Sequence, residues 1–488
     1  MTRTIERKKP SVSPVRKGTD LTLSIESLAF GGRGLAKVDG LVVFVEGAIP
    51  GQVVQARITR KRRGYLEARA VEILTKSENE VEPVCAHFGE CGGCRLQNLS
   101  YEIQLQEKRA QILESLEHIG GFKEPNVLRP LPSPDQFFYR NKMEYSFGRQ
   151  RWLTSSEIEN DAIIKSREFA LGLHVRGRFD RVLDLDECHL QSKQSVQIMH
   201  LVRAFAQASG LLAYSTSDHT GFWRHLVVRE GKNTGETLLN IVTADRTNGQ
   251  ATVCKLARHL LTEIPDITTI IHTINRRKAE VAFGEEEYIV HGPGFIKERI
   301  AKRIYRISAN SFFQTNTRGA ELLYSKVSEL AEFKDGQVVY DLYAGAGTIS
   351  LFVADVVQHV VGFEVVEAAV EDARINCRLN QTANVTFIPG DVRDSLPPDH
   401  VRAWGKPDVV VVDPPRAGVH VDVLLRLARI QPRVIMYVSC NPTTFARDAR
   451  VLSEKGYELQ VVQPVDMFPM TPHMETVARL VHTRNGGS

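Results

Sequence analysis

The chain has 488 residues, of which 42% are hydrophobic and 25% are charged, so it has the composition of a globular protein and the length of two to four domains. No run of about 18 apolar residues occurs, which argues against a membrane-spanning helix. The basic start of the chain lacks the apolar segment of a secretory signal. We therefore expect a cytoplasmic protein.

The net charge of +4 is unevenly distributed along the chain. Residues 1–75 carry 14 Lys and Arg against 7 Asp and Glu, which favours a polyanionic partner, although a solvated basic tail would have the same charge. We predict a basic, flexible segment over 1–17, and short strands broken by turns predict a small β-barrel over 18–76. The hairpin 60–65 combines four cations with Tyr65, which suits phosphate contact and base stacking.

Residues 77–300 begin with a cluster of cysteines. Cys85, Cys91 and Cys94 fall within ten residues, and this density indicates a metal site. In a reducing cytosol these thiols are not expected to form structural disulfides. A helix is predicted over 101–119, followed by a mixed, strand-rich α+β region to residue 300.

Residues 301–488 alternate strands with helices, which predicts an α/β domain. An apolar strand ends in a turn containing Gly345 and Gly347, although such a pair alone also occurs in ordinary strand–helix turns. The next strand ends in Glu364, 19 residues after Gly345, where an acid can accept both ribose hydroxyls of a nucleoside. A third strand ends in Asp391. These strand ends resemble those of class I S-adenosylmethionine-dependent methyltransferases.

The fourth and fifth strands of this domain carry the reactive side chains. The fourth ends in Asp413-Pro414-Pro415-Arg416, and the arginine replaces the aromatic residue that amino-group methyltransferases carry there. The fifth ends in Cys440, and Asn441-Pro442 is a good start for a helix, whose N-terminus would favour the thiolate of Cys440. A buried structural cysteine is the alternative. Glu475 precedes the last strand and would share the sheet edge of Cys440 if that strand is antiparallel.

Five separated motifs, in order, resemble the RNA uracil-C5 methyltransferase family. They are Phe312-Phe313-Gln314, Asp341-Leu342-Tyr343-Ala344-Gly345-Ala346-Gly347, Asp413-Pro414-Pro415-Arg416, Ser439-Cys440-Asn441-Pro442 and His473-Met474-Glu475. The resemblance implies a Rossmann-like seven-stranded catalytic sheet over 301–488. It also implies that Cys440 is the nucleophile and Glu475 the base. The residues that it implies for the cofactor are Gln314, Tyr343, Gly345, Gly347, Thr348, Glu364, Asp391 and Asp413.

The N-terminal half carries two further resemblances. The predicted barrel resembles the OB-like TRAM domain, which binds RNA. The pattern Cys85-x5-Cys91-x2-Cys94, together with Cys188, resembles the 4Fe–4S cluster ligands of the 23S ribosomal RNA branch, whereas the spacing alone would equally suit zinc. By the same resemblance, residues of about 97–128 are expected to pack on the catalytic domain.

The expected reaction is methylation of carbon 5 of a uridine in 23S ribosomal RNA by a monomeric enzyme. A thiolate that adds to carbon 6 makes carbon 5 nucleophilic, and a base must then remove the proton on carbon 5. One alternative is the T-loop uridine of transfer RNA. A cytosine-C5 RNA methyltransferase is another, although the fourth strand lacks the cysteine of that class. The last is a non-catalytic RNA-binding iron–sulfur protein.

Overall fold

The computed structural model describes residues 15–159, 167–178, 180–396 and 403–483. These residues form two compact units. The first contains residues up to 84, together with 94–111 and 470–472, and the second contains 85–93, 112–469 and the residues from 473 onward. Most of the predicted flexible segment, residues 1–14, lies outside the described residues.

The first unit is built on a six-stranded sheet with the strand order β1-β5-β6-β4-β3-β2. Its strands are β1 Asp20–Ser24, β2 Ser27–Ala29, β3 Arg33–Val38, β4 Leu41–Glu46, β5 Val53–Lys61 and β6 Tyr65–Thr75. Alternate side chains of these strands, among them Val43, Val45 and Val54, form one apolar core. Gly34 is required inside the sheet, since a Cβ there would lie 2.9 Å from Ile25 Cγ2.

Residues 94–111 also belong to this first unit. Leu96 and Leu99 form a small apolar cluster with Leu28 and Ile49. Helix α1, Tyr101–Ser115, begins in this segment, and the side chain of its Glu107 accepts a hydrogen bond from the amide of Leu28 at 2.6 Å. The stretch 97–128 is therefore divided at residue 111 between the two units.

The second unit contains a seven-stranded mixed sheet with the order β13-β12-β11-β10-β7-β8-β9. Its strands are β7 Lys142–Gln150, β8 Glu168–His174, β9 Val182–Asp184, β10 Trp223–Glu230, β11 Thr237–Thr243, β12 Thr269–Ile274 and β13 Glu286–His291. The helices of this region are α2 Ser155–Glu159, α3 Lys193–Ala208 and α4 Gly249–Glu263, and a hairpin of β14 Phe295–Ile300 and β15 Arg303–Ser308 follows. Every residue of β10 and β11 is buried, as expected for central strands.

The catalytic sheet lies in the same unit, with the order β18-β17-β16-β19-β20-β22-β21. Its strands are β16 Val338–Leu342, β17 His359–Glu364, β18 Val385–Pro389, β19 Val409–Val412, β20 Val434–Ser439, β21 Tyr457–Val465 and β22 Glu475–His482. Its helices are α5 Thr317–Ala331, α6 Thr348–Val353, α7 Glu367–Leu379, α8 Val392–Ser395, α9 Val421–Ile430 and α10 Pro442–Ser453. The predicted Rossmann-like seven-stranded fold is confirmed. Five strands are parallel, and β22 is antiparallel to both of its neighbours.

The segment after α1 packs on this catalytic sheet. A π-helical turn, Leu116–Gly120, contacts α10. Val127 and Leu131 then pair in parallel with Val462 and Val465 of β21, so the chain borders the sheet before it enters the mixed sheet. Within the described residues, no helix is long and apolar enough to cross a membrane.

Candidate active site

The loop after β16 forms an open cradle at the carboxyl edge of the catalytic sheet. Tyr343, Gly345 and Gly347 adopt φ values of 66°, 56° and 78°. A Cβ on Gly345 would meet nothing within 4 Å, so the backbone here is open to a ligand. A Cβ on Gly347 would lie 2.6 Å from Phe387 Cζ, so only glycine fits at that position.

Glu364 links this cradle to the neighbouring strand. Its carboxylate accepts hydrogen bonds from the amide of Gly345 at 2.9 Å and from the amide of Val366 at 2.8 Å. A carboxylate has about four acceptor positions, so two backbone bonds leave it able to accept hydroxyl groups as well. The acid therefore orients the glycine turn and remains available to a ligand.

The other residues predicted to bind the cofactor lie on adjacent segments of this unit. Asp391 caps α8, and its ion pair with Arg393 at 2.6 Å lowers its pKa. Thr348 begins α6, and its hydroxyl accepts a hydrogen bond from the Tyr324 hydroxyl at 3.0 Å. Gln314 precedes α5, and its backbone carbonyl accepts a bond from Asn141 Nδ2 at 2.8 Å.

Cys440 and Glu475 face each other across two paired strands. The antiparallel pairing of β20 with β22 matches Val438 to Val477 and Ser439 to Thr476. Continuing this register by one residue places Cys440 opposite Glu475. Directly opposed residues in an antiparallel pair have Cβ atoms about 5 Å apart, so the thiol and the carboxyl group share one small site.

The site is strongly desolvated and holds two neighbouring carboxyl groups. Burial raises the pKa of Glu475 well above its usual value, and the charge of Asp413 raises it further. Burial also raises the pKa of Asp413 to about 6. The pKa of Cys440 is raised to about 11 by burial and by the charges of Glu475 and Asp413. The effect of the helix N-terminus, which was expected to favour the thiolate, is therefore opposed by burial and by the two carboxyl groups.

Arg416 lowers the pKa values that burial and the neighbouring carboxyl groups raise. This residue was not assigned to the site from the sequence. Its guanidinium donates a hydrogen bond to the sulfur of Cys440, and both this bond and its charge lower the pKa of the thiol. The same positive charge lowers the pKa of Glu475. The motif Asp413-Pro414-Pro415-Arg416 contained the arginine, but no local pattern indicates that Arg416 lies near Cys440.

The start of α10 holds the loop that carries Arg416. Asn441 caps the helix by accepting from the amide of Thr443, and its Nδ2 donates to the carbonyl of Arg416 at 3.0 Å. Asp448, two turns further along, is buried and accepts a hydrogen bond from the amide of Val419 at 2.7 Å. Cys440 and Arg416 therefore lie on two segments that are hydrogen-bonded to each other.

A second buried acid, Asp341, was also not predicted as a site residue. It accepts a hydrogen bond from the Ser350 hydroxyl at 2.6 Å, while its Oδ1 has no partner among the described residues. Burial raises the pKa of Asp341 to about 7.

The predicted metal ligands are divided between the two units. Cys85, Cys91 and Cys188 lie in the second unit and Cys94 in the first. The sulfur of Cys91 accepts from the amide of Gly93 at 3.4 Å, and the sulfurs of Cys85 and Cys188 also accept backbone amides. Among the residues that the structure describes, no group of three or more His, Cys, Asp or Glu side chains is arranged to hold a metal ion.

The basic hairpin of the first unit is exposed at its tip. Arg60, Lys61, Arg62 and Arg63 all face solvent. The ring of Tyr65 instead packs edge-on against Phe44, with the ring centroids 5.4 Å apart. The cations are therefore available to a polyanion, whereas the tyrosine is partly engaged in its own unit.

The chain is similar to two known protein families. Residues 14–71 match the family described as TRAM domain, and residues 251–392 and 405–483 match the family described as tRNA (Uracil-5-)-methyltransferase. An uncharacterized RNA methyltransferase of Chlorobaculum tepidum is 42% identical over 95% of this chain and 96% of its own length. Another from Nitratidesulfovibrio vulgaris is 37% identical, with 95% and 96% covered.

A solved structure is similar over almost the whole chain. It is the Pyrococcus abyssi tRNA (uracil-54, C5)-methyltransferase in complex with S-adenosyl-L-homocysteine. It is 32% identical, with a TM-score of 0.73, and the match covers 94% of this chain and 99% of that one.

Proposed function

Because this chain belongs to the family of TRAM-containing RNA uracil-C5 methyltransferases, which use S-adenosylmethionine, we propose that Cys440 is its nucleophile and Glu475 its base. The observation that carries this assignment is the register of β20 and β22, which sets the two side chains opposite each other. The hydrogen bond from Arg416 to the sulfur supports it, since a structural cysteine has no need of a cation.

The proposed reaction uses both groups in turn. The sulfur of Cys440 forms a bond to carbon 6 of uracil. The electron pair of the 5,6 double bond moves toward the carbonyl at carbon 4, which gives an enolate. When bound, S-adenosylmethionine would supply an electrophilic methyl group, and carbon 5 would form its new bond to that methyl as the bond from the methyl to the sulfonium sulfur breaks, which leaves S-adenosylhomocysteine. Glu475 then takes the proton from carbon 5. The bond between carbon 6 and sulfur breaks, and the thiolate of Cys440 is released.

The electrostatics of the site suit these two roles. A raised pKa makes the carboxylate of Glu475 a stronger base than a solvated glutamate, which favours proton removal from carbon. The thiol of Cys440 needs help to ionise, and the nearby guanidinium of Arg416 stabilises the thiolate. Because thiol and carboxyl are both desolvated, the uridine must leave its stack and enter the site.

The cradle after β16 is proposed to bind the cofactor. Glu364 would accept hydrogen bonds from the ribose hydroxyls, and Asp391 would accept one from the adenine amino group. The open backbone at Gly345 allows close approach of the methionine part, and Gly347 allows the turn to pack against Phe387. The other residues proposed to contact the cofactor are Tyr343, Gln314, Thr348 and Asp413.

The proposed substrate is a uridine of 23S ribosomal RNA, because the pattern of the four cysteines resembles the cluster ligands of the 23S ribosomal RNA branch. A second candidate is a T-loop uridine of transfer RNA. The Pyrococcus abyssi enzyme, whose name gives tRNA uracil-54 as its target, is similar over 94% of this chain. Its match includes 99% of its own length, so the architecture as a whole is compatible with transfer RNA.

The test compares both RNAs directly. Purified protein is incubated with methyl-labelled S-adenosylmethionine and unmodified transcripts of 23S ribosomal RNA or of transfer RNA, and 5-methyluridine is measured after nuclease digestion. We expect product with wild type and none with Cys440→Ala. Full turnover by Cys440→Ala would overturn the assignment of the nucleophile, and product from transfer RNA alone would overturn the ribosomal substrate.

We also propose that Cys85, Cys91, Cys94 and Cys188 hold a 4Fe–4S cluster, with zinc as the alternative. Support comes from the backbone amides that donate to three of these sulfurs, since such bonds stabilise thiolate ligands. Anaerobically purified protein should contain iron and sulfide, and Cys188→Ser should lose both. The matched control is Cys254→Ser, which should retain them. Stoichiometric zinc without sulfide would overturn the cluster.

A further inference from the structure

We propose that the mixed sheet of the second unit carries a separate binding site for one unstacked nucleotide of the RNA substrate, a proposal that rests on the function proposed above. The site is a cavity of about 560 Å³. Ligand pockets span roughly 300–1,000 Å³, so a nucleoside fits within this volume. The cavity is distinct from the cradle after β16 and from Cys440, none of whose residues line it.

The floor of the cavity is one face of two paired strands. Ser146 of β7 is paired with His225 of β10, and Glu144 with Val227. Alternate residues of a strand point to the same face, so these side chains project together into the cavity. The floor therefore offers a hydroxyl, an imidazole and a carboxylate beside an apolar surface.

The floor of the cavity also contains a buried imidazole nitrogen that has no hydrogen-bond partner. His225 is 4% exposed, and its Nε2 has no partner among the described residues. Its Nδ1 lies 3.4 Å from Ser146 Oγ, which in turn lies 3.1 Å from His174 Nε2. A buried polar atom without a partner is unfavourable, because it has lost its hydrogen bonds to water. A ligand that hydrogen-bonds to Nε2 would remove that cost.

The ligand that suits these groups is neutral and carries both donors and acceptors. Burial lowers the pKa of His225 to about 4, so its ring is uncharged at neutral pH. Lys142 and Glu144 form an ion pair at 2.5 Å and offset each other's charge. Glu280, on the opposite wall, has a pKa raised by burial. A nucleobase edge matches this set better than a phosphate group, which would need uncompensated cations.

The wall of the cavity is already held in place and provides an aromatic surface. Arg224 is buried and donates to the carbonyls of Asn275, Arg277 and Ala279 at 2.6–3.1 Å. These bonds fix the segment that leads to Phe283, whose ring lines the cavity while remaining 44% exposed. The guanidinium of Arg277 lies over one face of this ring, 4.8 Å from its centroid, so the other face is the one proposed to stack with a base.

The position of the cavity links it to the proposed active site through the chain itself. Asn310 lines the cavity and lies four residues before Gln314. Four residues span at most about 14 Å. Between them, the side chain of Phe312 is 69% exposed. A strand of RNA whose uridine reaches the cofactor could thus place a nearby nucleotide in the cavity, so the occupant is expected to be part of the RNA.

The test uses the transcript that wild type methylates in the assay above, in versions that each lack one base near the target uridine. Phe283→Ala should raise KM about tenfold and change kcat less than twofold, since stacking on an aromatic ring contributes to binding. Glu280→Gln, which keeps the size of the side chain, provides a second variant. Tyr288→Ala is the matched control, because Tyr288 is 36% exposed on β13 but does not line the cavity.

The decisive result is non-additivity. At one position, removing the base should raise KM of the wild type, yet raise it no further in Phe283→Ala or Glu280→Gln. Additive effects at every position, or wild-type KM in both variants, would overturn the nucleotide site while leaving the methylation itself intact. Absence of methylation of any RNA by wild type would instead refute the proposed function.

Discussion

Replacing Arg416 with methionine should make Cys440 less reactive, since Arg416 is the cation that lowers the pKa of its thiol. With a pKa of about 11, only about 0.1% of Cys440 is thiolate at pH 8, and the thiolate is the reactive form. A hydrogen bond to a charged group contributes about 1.5–3 kcal/mol, or roughly one to two pKa units. Because Cys440 is only partly buried, we expect the lower value, about one unit.

The assay is alkylation by iodoacetamide, followed by mass spectrometry of the peptide that contains Cys440. In wild type the rate should rise about tenfold per pH unit between pH 7 and 10 without a plateau, since the deprotonated form increases up to the pKa. Arg416→Met should be about tenfold slower throughout. Arg450→Met is the control, because Arg450 is exposed on α10 and pairs with Glu454. A plateau below pH 9.5, or an unchanged rate in Arg416→Met, would refute the reasoning.

Two further substitutions test the base and the cradle. Glu475→Gln should slow release of the methylated RNA about 100-fold or more, because the proton on carbon 5 can no longer be removed. A covalent protein–RNA adduct should then accumulate and be visible on denaturing gels. Rapid turnover without adduct would exclude Glu475 as the base. Gly347→Ala should abolish binding of S-adenosylmethionine in calorimetry, because its Cβ would collide with Phe387. Gly336→Ala is the control, since Gly336 has a similar φ of 84° but an added Cβ would have no neighbour within 4 Å. An equal loss of cofactor binding in both variants would show that backbone strain alone is responsible.

Several properties of this chain follow from local sequence. The apolar strands, the glycine turn after β16 and the Asn441-Pro442 helix start depend on neighbouring residues, and each forms where the pattern predicts. The chain also turns at Gly31 and Gly32, which adopt φ values of 92° and 77°, before β3 begins at Arg33.

The pairing of Cys440 with Glu475 could be predicted from the sequence only by resemblance. The two residues are separated by α10 and β21, and they meet because β22 inserts between β20 and β21 in the antiparallel direction. A parallel last strand would have placed Glu475 at the opposite edge of the sheet. Strand order and direction depend on long-range packing, which local patterns do not encode.

The sequence by itself determined which side chains are present and where the strands, helices and turns of the α/β domain form, because hydrophobic periodicity and turn chemistry are local. The seven-stranded Rossmann-like arrangement followed from the resemblance to a known family. Only the tertiary structure decided the electrostatics of the site. A helix N-terminus predicted a thiolate at Cys440, but burial and two carboxyl groups raise its pKa, while Arg416 opposes them. Desolvation depends on everything that surrounds a group, and those surroundings come from distant parts of the chain.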